Sequence, residues 1–159
     1  MTVAYIGIGS NQGDAHAHVL QAFDGLAQLP STRLEGRSAF YRSAPIDAPG
    51  QGDYVNAAAG VDTELSAAQL LAVLQDLELR HGRERPTPNA PRTLDLDLLL
   101  YGDMVLQSAM LTLPHPRMHR RAFVLLPLLD LDPRLEVPGR GTARELLARC
   151  AGQRIVRMD

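Results

Sequence analysis

An α+β domain is what this chain predicts, and three observations carry the prediction. Short apolar runs rich in β-formers alternate with helical stripes, Ser-x-x-Gln and Thr-x-x-Glu boxes mark helix starts, and Pro and Gly punctuate the joins. The 159 residues make one domain, 1–159, long enough to bury roughly 68–70% of the unfolded surface.

Residues 2–9 form the first strand, which runs into the breakers Gly9-Ser10-Asn11-Gln12-Gly13 of a strand-to-helix turn. Asp14 is placed as an N-cap, and Val19, Leu20, Phe23, Leu26 and Ala27 repeat at helical spacing until Pro30 stops the helix. Residues 33–41 read as one strand. A loop with Pro45, Pro49, Gly50 and Gly52 leads to a third strand, 54–63, which pairs antiparallel with it. Ser66-Ala67-Ala68-Gln69 opens a second helix whose face is Leu70, Leu71, Leu74, Leu77 and Glu78, ending near Gly82. Pro86, Pro88 and Pro91 remove backbone donors across 83–92, so that stretch is a loop. Leu94 to Leu98 alternates strictly and the run stays apolar to Tyr101, which reads as a central strand before Gly102-Asp103. The order βαββαβ is that of a ferredoxin-like core. An extra hairpin over 105–113, a short helix over 121–129 and a helix opened by Thr142-Ala143-Arg144-Glu145 to about Arg149 extend it.

The charges narrow the chemistry. There are 16 Lys+Arg against 18 Asp+Glu, and every cation is Arg. Lysine-dependent chemistry is therefore excluded: no Walker-type phosphate loop, no Schiff base, no pyridoxal enzyme. Phosphates must be held by Arg forks, backbone N–H groups or a metal. A net charge of −2 gives no pull toward nucleic acid, no apolar run approaches the ~20 residues of a membrane span, and lone Cys150 makes no internal disulfide. A monomeric cytoplasmic protein is the expectation.

Asp95-Leu96-Asp97 is the most informative motif, because a period of two puts both carboxylates on one strand face with Cα atoms roughly 6.6 Å apart. Alone, the pair fits a merely wet face. Its setting is basic, however: Arg80, Arg83, Arg85 and Arg92 precede it, and Arg117, Arg120 and Arg121 follow. Acids amid Arg make sense where Mg²⁺ sits on the carboxylates and guanidinium forks hold phosphate oxygens. Gly7, Gly9 and Gly13 miss the dinucleotide fingerprint spacing and read as a tight turn beside the site. Tyr54 and Asn56 share a face, which suits either a ring platform with an amide reader or, on pattern alone, a surface Tyr beside a solvated Asn. His115, between Pro114 and Pro116, is a turn residue or a phosphate donor. His16, His18, His81 and His119 lack zinc spacing, and neither Ser10 nor Cys150 has a nucleophile's context.

Ala90-Pro91-Arg92-Thr93-Leu94-Asp95-Leu96-Asp97-Leu98-Leu99-Leu100-Tyr101-Gly102 resembles the defining motif of the 6-hydroxymethyl-7,8-dihydropterin pyrophosphokinases of folate (tetrahydrofolate) biosynthesis. So do Tyr5-Ile6-Gly7-Ile8-Gly9-Ser10-Asn11, Phe40-Tyr41-Arg42-Ser43, Asp53-Tyr54-Val55-Asn56-Ala57 and the stretch from Leu113-Pro114-His115-Pro116 through Arg121-Ala122-Phe123-Val124-Leu125, in the family's order over about residues 2–135. The resemblance implies an ATP-dependent kinase-type transferase that passes the β,γ-pyrophosphoryl group of ATP to the pterin hydroxymethyl oxygen and releases AMP. It implies two Mg²⁺ ions on Asp95 and Asp97, and Arg83 and Arg92 as catalytic residues beside them. Tyr54 and Phe123 would sandwich the pterin, with Asn56, Ser43 and Ile46 reading its edge. Glu78, Arg83, Arg85, Arg92, Leu98, Thr112, His115 and Arg121 would contact ATP. The partners implied are these small molecules alone, without nucleic acid or membrane. One departure lies in the 83–92 loop, which is one residue shorter than the family pattern and carries Asn89-Ala90-Pro91 where that pattern has a Trp before Gly-Pro-Arg. Lid closure is where this change would act. Rival readings are a pterin or nucleotide sensor without turnover and an RNA-binding module on the same fold.

Overall fold

The computed structural model describes residues 1–44, 52–82 and 93–158. Its order is β1 (Thr2–Ser10), α1 (Ala15–Leu26), β2 (Thr32–Arg37), β3 (Phe40–Ser43), β4 (Tyr54–Thr63), α2 (Ala67–His81) and β5 (Asp95–Tyr101). There follow β6 (Leu106–Gln107), β7 (Thr112–Leu113), a 3₁₀ turn (Met118–Arg120), α3 (Ala122–Leu131), β8 (Glu136–Val137), β9 (Gly141–Thr142), α4 (Ala143–Ala148) and β10 (Ile155–Met158). The main sheet is antiparallel with order β10-β3-β4-β1-β5, and β2 also pairs with β4.

The helix starts follow their capping residues. Asp14 accepts the Ala17 N–H at 3.1 Å, and the Ser66 and Gln69 side chains satisfy each other's backbone N–H groups at 3.1 and 2.9 Å. Thr142 accepts from Glu145 N at 3.1 Å. These contacts satisfy N–H groups that a helix leaves unpaired at its start.

Two apolar layers enclose the sheet. On one face Ile6, Ile8, Leu96 and Leu98 pack with Phe23 and Leu26 of α1 and Leu70 and Leu74 of α2. On the other, Leu99 and Leu100 pack with Met118, Leu125 and Leu128. Each such fully buried side chain contributes about 1.5–3 kcal/mol of transfer free energy. Leu20, read from the spacing as part of the buried stripe, is 46% exposed; Ala22 takes the inner position instead.

Two strand assignments need correcting. The expected strand 33–41 is two strands, because Ser38 breaks it: its N–H donates to Ala58 O at 2.9 Å and its hydroxyl accepts from Ala58 N at 2.8 Å. β2 then pairs with the far part of β4 and β3 with the near part. β5 lies at the sheet edge, not the centre. Its apolarity on both faces reports the two layers above and below it. Its open edge is covered as well, since Leu96 N donates to Glu78 Oε2 at 3.0 Å and His115 N donates to Leu99 O at 2.9 Å. The β6–β7 pair is the extra hairpin that the sequence predicts, whereas β8–β9 and β10 go beyond it.

His81, at the end of α2, meets α1 through His18, with Nε2 and Nδ1 2.7 Å apart. Burial first, and the His18 charge second, hold the His81 pKa below its ordinary value of 6.5. The folded state therefore takes up the proton later than the unfolded chain does. Stability from this group is complete above about pH 6.5 and is lost as pH falls from there toward the folded value. His81→Gln, which avoids that protonation, should flatten the fall in urea midpoint between about pH 7 and pH 5. An unchanged slope would show that the contact does not set the acid sensitivity.

Candidate active site

The face of the sheet opposite α1 and α2 is only partly covered, and the uncovered part is a cavity of about 810 Å³. That volume lies within the ~300–1,000 Å³ usual for small-molecule sites. Its floor is built by strand register. Gly9 stands between Asp95 and Asn56, and Gly7 between Asp97 and Ala58. Without side chains on β1, both carboxylates and the amide look into one space. A Cβ on Gly9 would lie 3.5 Å from Asn56 Oδ1, and one on Gly7 3.3 Å from Leu99 Cδ1. Both glycines thus belong to a strand and not to a turn, contrary to the spacing-based reading; Gly13 alone of the three has a left-handed φ, +55°.

Asp95 and Asp97 occupy one face of β5, as their spacing predicts, and both line the cavity. Tyr54 lines it from β4, and its hydroxyl pKa is pushed up by burial and then by the Asp95 charge. Asn56 is only 3% exposed, so the solvated-surface reading of Tyr54-Val55-Asn56 falls. Its Nδ2 donates to Ser43 Oγ at 2.8 Å and to Tyr41 O at 3.4 Å, which spends both N–H bonds on protein and leaves Oδ1 as the group toward the cavity.

Arg117, Arg120, Arg121 and Phe123 form the opposite wall. The Arg121 guanidinium lies 5.5 Å from the centre of the Phe123 ring, within cation–π range. His115 sits beside this wall. Burial lowers its pKa first; Asp97 opposes the shift, and Arg121 and Arg117 reinforce it. Its Nδ1 accepts the Arg117 N–H at 3.2 Å, so the neutral ring carries its proton on Nε2 and donates there.

Ser43, Tyr54, Asn56, Asp95, Asp97, Arg121 and Phe123 are thus brought together around one cavity. Glu78, Leu98, Thr112 and His115 lie outside its lining. Leu98 is 3% exposed in the core, so only its backbone, on the outer edge of β5, can meet a ligand. Ile46, Arg83, Arg85 and Arg92 lie outside the described residues, as does the 83–92 loop. The sequence places Gly7 and Gly9 only in a turn beside the site and Arg117 and Arg120 only in its basic setting; the structure makes the first pair floor and the second wall, and adds Gln153, which no sequence feature marks. A Gly-x-Gly repeat in a strand, at the same period as Asp-x-Asp, was the available signal for the first two.

Among the described residues no group of three or more His, Cys, Asp or Glu side chains could hold a metal. Two carboxylates open to a cavity suit a hard cation that completes its shell with water and ligand oxygens, as Mg²⁺ does, and not a closed zinc site.

Carboxylates and guanidiniums lining one cavity that also offers two rings and a buried amide fit the class of a small α+β enzyme that handles phosphate groups. A family model described as 7,8-dihydro-6-hydroxymethylpterin-pyrophosphokinase (HPPK) matches residues 5–133, and the chain belongs to that family. The 2-amino-4-hydroxy-6-hydroxymethyldihydropteridine pyrophosphokinase of Haemophilus influenzae is 40% identical over 100% of this chain and 99% of its own length. The enzyme of the same name from Pseudomonas aeruginosa is 42% identical over 97% and 95% respectively. Among solved structures, wild-type HPPK-DHPS from Plasmodium falciparum superposes with a TM-score of 0.70 at 14% identity, covering 94% of this chain. This chain spans 43% of that longer one, and the likeness is one of fold. The activity is pyrophosphoryl transfer from ATP to hydroxymethyldihydropterin, a step of folate biosynthesis.

Proposed function

We propose that this activity is carried out in the cavity over Gly7 and Gly9, with Asp95 and Asp97 as the ligands of two Mg²⁺ ions. The observation that carries the proposal is the strand register that sets Asp95 and Asp97 beside a side-chain-free floor, with Asn56 on its other side. The hydroxymethyl oxygen of the pterin attacks the β-phosphorus of ATP, the bond from that phosphorus to the α,β-bridging oxygen breaks, AMP leaves and the hydroxyl proton passes to solvent. Tyr54 and Phe123 hold the pterin ring between them. Asn56 Oδ1 accepts from its N–H edge, which Ser43 and Ile46 are also assigned to read. Arg121 and the Nε2–H of His115 hold phosphate oxygens, together with Arg83, Arg85 and catalytic Arg92. Glu78, Thr112 and the Leu98 backbone flank the nucleotide. The metal ions, when bound, neutralise charge on the transferred group and fix its line of attack. Positioning and charge are all this reaction asks of the protein, so no nucleophile is needed among the residues assigned to it.

The core is read as ferredoxin-like; the order β5-β1-β4 followed by β2 and β3, wholly antiparallel, with α1 and α2 on one face, supports that. A single monomeric cytoplasmic domain remains the reading for the whole chain. Among the described residues no helix is long and apolar enough to cross a membrane.

Incubation with ATP, Mg²⁺ and 6-hydroxymethyl-7,8-dihydropterin should yield AMP, stop when EDTA is added and resume with excess Mg²⁺. Release of ADP, or turnover that survives chelation, would contradict the assignment.

A further inference from the structure

The helix that carries Phe123 begins without a cap of its own. Its N-cap position is Arg121, extended at φ −123° and ψ 108°, with no side-chain cap bond, and a guanidinium has no acceptor to offer. The Arg121 side chain lines the cavity instead. The capping is done from 31 residues further along the chain: Gln153 Oε1 accepts the Ala122 N–H at 2.9 Å, while its Nε2 donates to Arg120 O at 2.6 Å. One amide thus brackets the single extended residue between the 3₁₀ turn and α3, and that residue is Arg121.

Gln153 is itself anchored. Its N–H donates to Cys150 O at 3.0 Å just beyond α4, and two residues on Ile155 pairs with Ser43 on the opposite wall. Gln153 also lines the main cavity and, with Phe123 and Ser43, a smaller one of about 150 Å³ next to it. The segment therefore joins the β3 wall to the α3 wall. It lies beyond residue 133, where the family match ends.

We propose that Gln153 is a positioning residue for pyrophosphoryl transfer, holding Arg121 on the phosphates and Phe123 on the ring. The inference rests on the roles proposed above for those two side chains. The guanidinium lies over the Phe123 ring, so backbone freedom at 120–122 disturbs both.

The variant Gln153→Met keeps length and bulk but loses both hydrogen bonds. It should raise KM for ATP and for the pterin about tenfold, because the Arg121 and Phe123 side chains must then be ordered on binding. It should leave kcat within about twofold and the thermal midpoint within about 4 °C, because the side chain is exposed. In an Arg121→Ala background the same change should raise KM for ATP less than about twofold, since the side chain being positioned is gone. Unchanged KM values in Gln153→Met, full additivity with Arg121→Ala, or a loss that merely follows the thermal midpoint would each overturn the inference. Wild-type KM values in Arg121→Ala and Phe123→Ala would sink the site reading and this inference with it. Impairment of those two variants with Gln153→Met unimpaired would sink this inference alone.

Discussion

Asp97→Ala and Asp95→Ala should each lower pyrophosphoryl transfer by about 10³-fold or more, with the fold intact. The size follows from the step. In the proposed site the charge that moves from the ATP chain to AMP would be stabilised by the cations these carboxylates hold, and losing such electrostatic stabilisation costs on the order of 4 kcal/mol, at 1.36 kcal/mol per tenfold. The fold should survive because neither side chain belongs to either apolar layer, and the β1 residues opposite them are glycines. Asp97→Asn separates charge from shape: it keeps the volume, so a loss as large as that of Ala assigns the effect to the carboxylate. Circular dichroism and thermal midpoint close to wild type, beside a collapsed rate of AMP release, are the expected pair of readings. Rates within tenfold of wild type would remove the pair from the chemistry.

Arg121→Lys should cost about 10²-fold in kcat/KM for ATP, and Arg121→Ala little more. A guanidinium grips phosphate oxygens with two parallel N–H bonds and stacks on an aromatic face, while an ammonium on a flexible stem does neither so well. Here the stacking is in place, since the Arg121 group lies over Phe123 at the cavity wall, and the proposed hold on phosphate would use the fork. The substitution is therefore not conservative, although it keeps the charge. In a chain whose 16 cations are all Arg, it also asks whether that composition matters to the site. Activity equal to wild type in Arg121→Lys would mean that charge alone suffices there.

Local chemistry explains what could be read without coordinates. The caps at Asp14, Ser66 and Thr142 are contacts within three residues, and the shared face of Asp95 and Asp97 is a property of any strand, so spacing alone predicts them. The misread features depend on what is packed against them. Apolar residues on both faces of β5 look central, yet the strand is an edge whose open side is taken by Glu78 and by the backbone of His115. Asn56 looks solvated until Ser43 and Tyr41 close over its Nδ2. Gly7 and Gly9 look like turn residues because only the register with Asp97, Asp95 and Asn56 shows that they form a floor. β10 is four residues long, with Val156 55% exposed, and its strand partner among the described residues is β3, more than a hundred residues earlier in the chain. Nothing local marks it. The capping of α3 by Gln153 is of the same kind, a contact across 31 residues made by a side chain with no motif around it.

The two carboxylates of β5 are the proposed ligands of the divalent ions. Electron paramagnetic resonance of Mn²⁺ with the protein and a non-hydrolysable ATP analogue tests that assignment without relying on turnover. Wild type should immobilise Mn²⁺ and broaden its signal, and a variant carrying both Asp95→Asn and Asp97→Asn should leave the spectrum that of Mn²⁺ with the analogue alone. A double variant that immobilises Mn²⁺ as wild type does would contradict the assignment and move the metal site elsewhere.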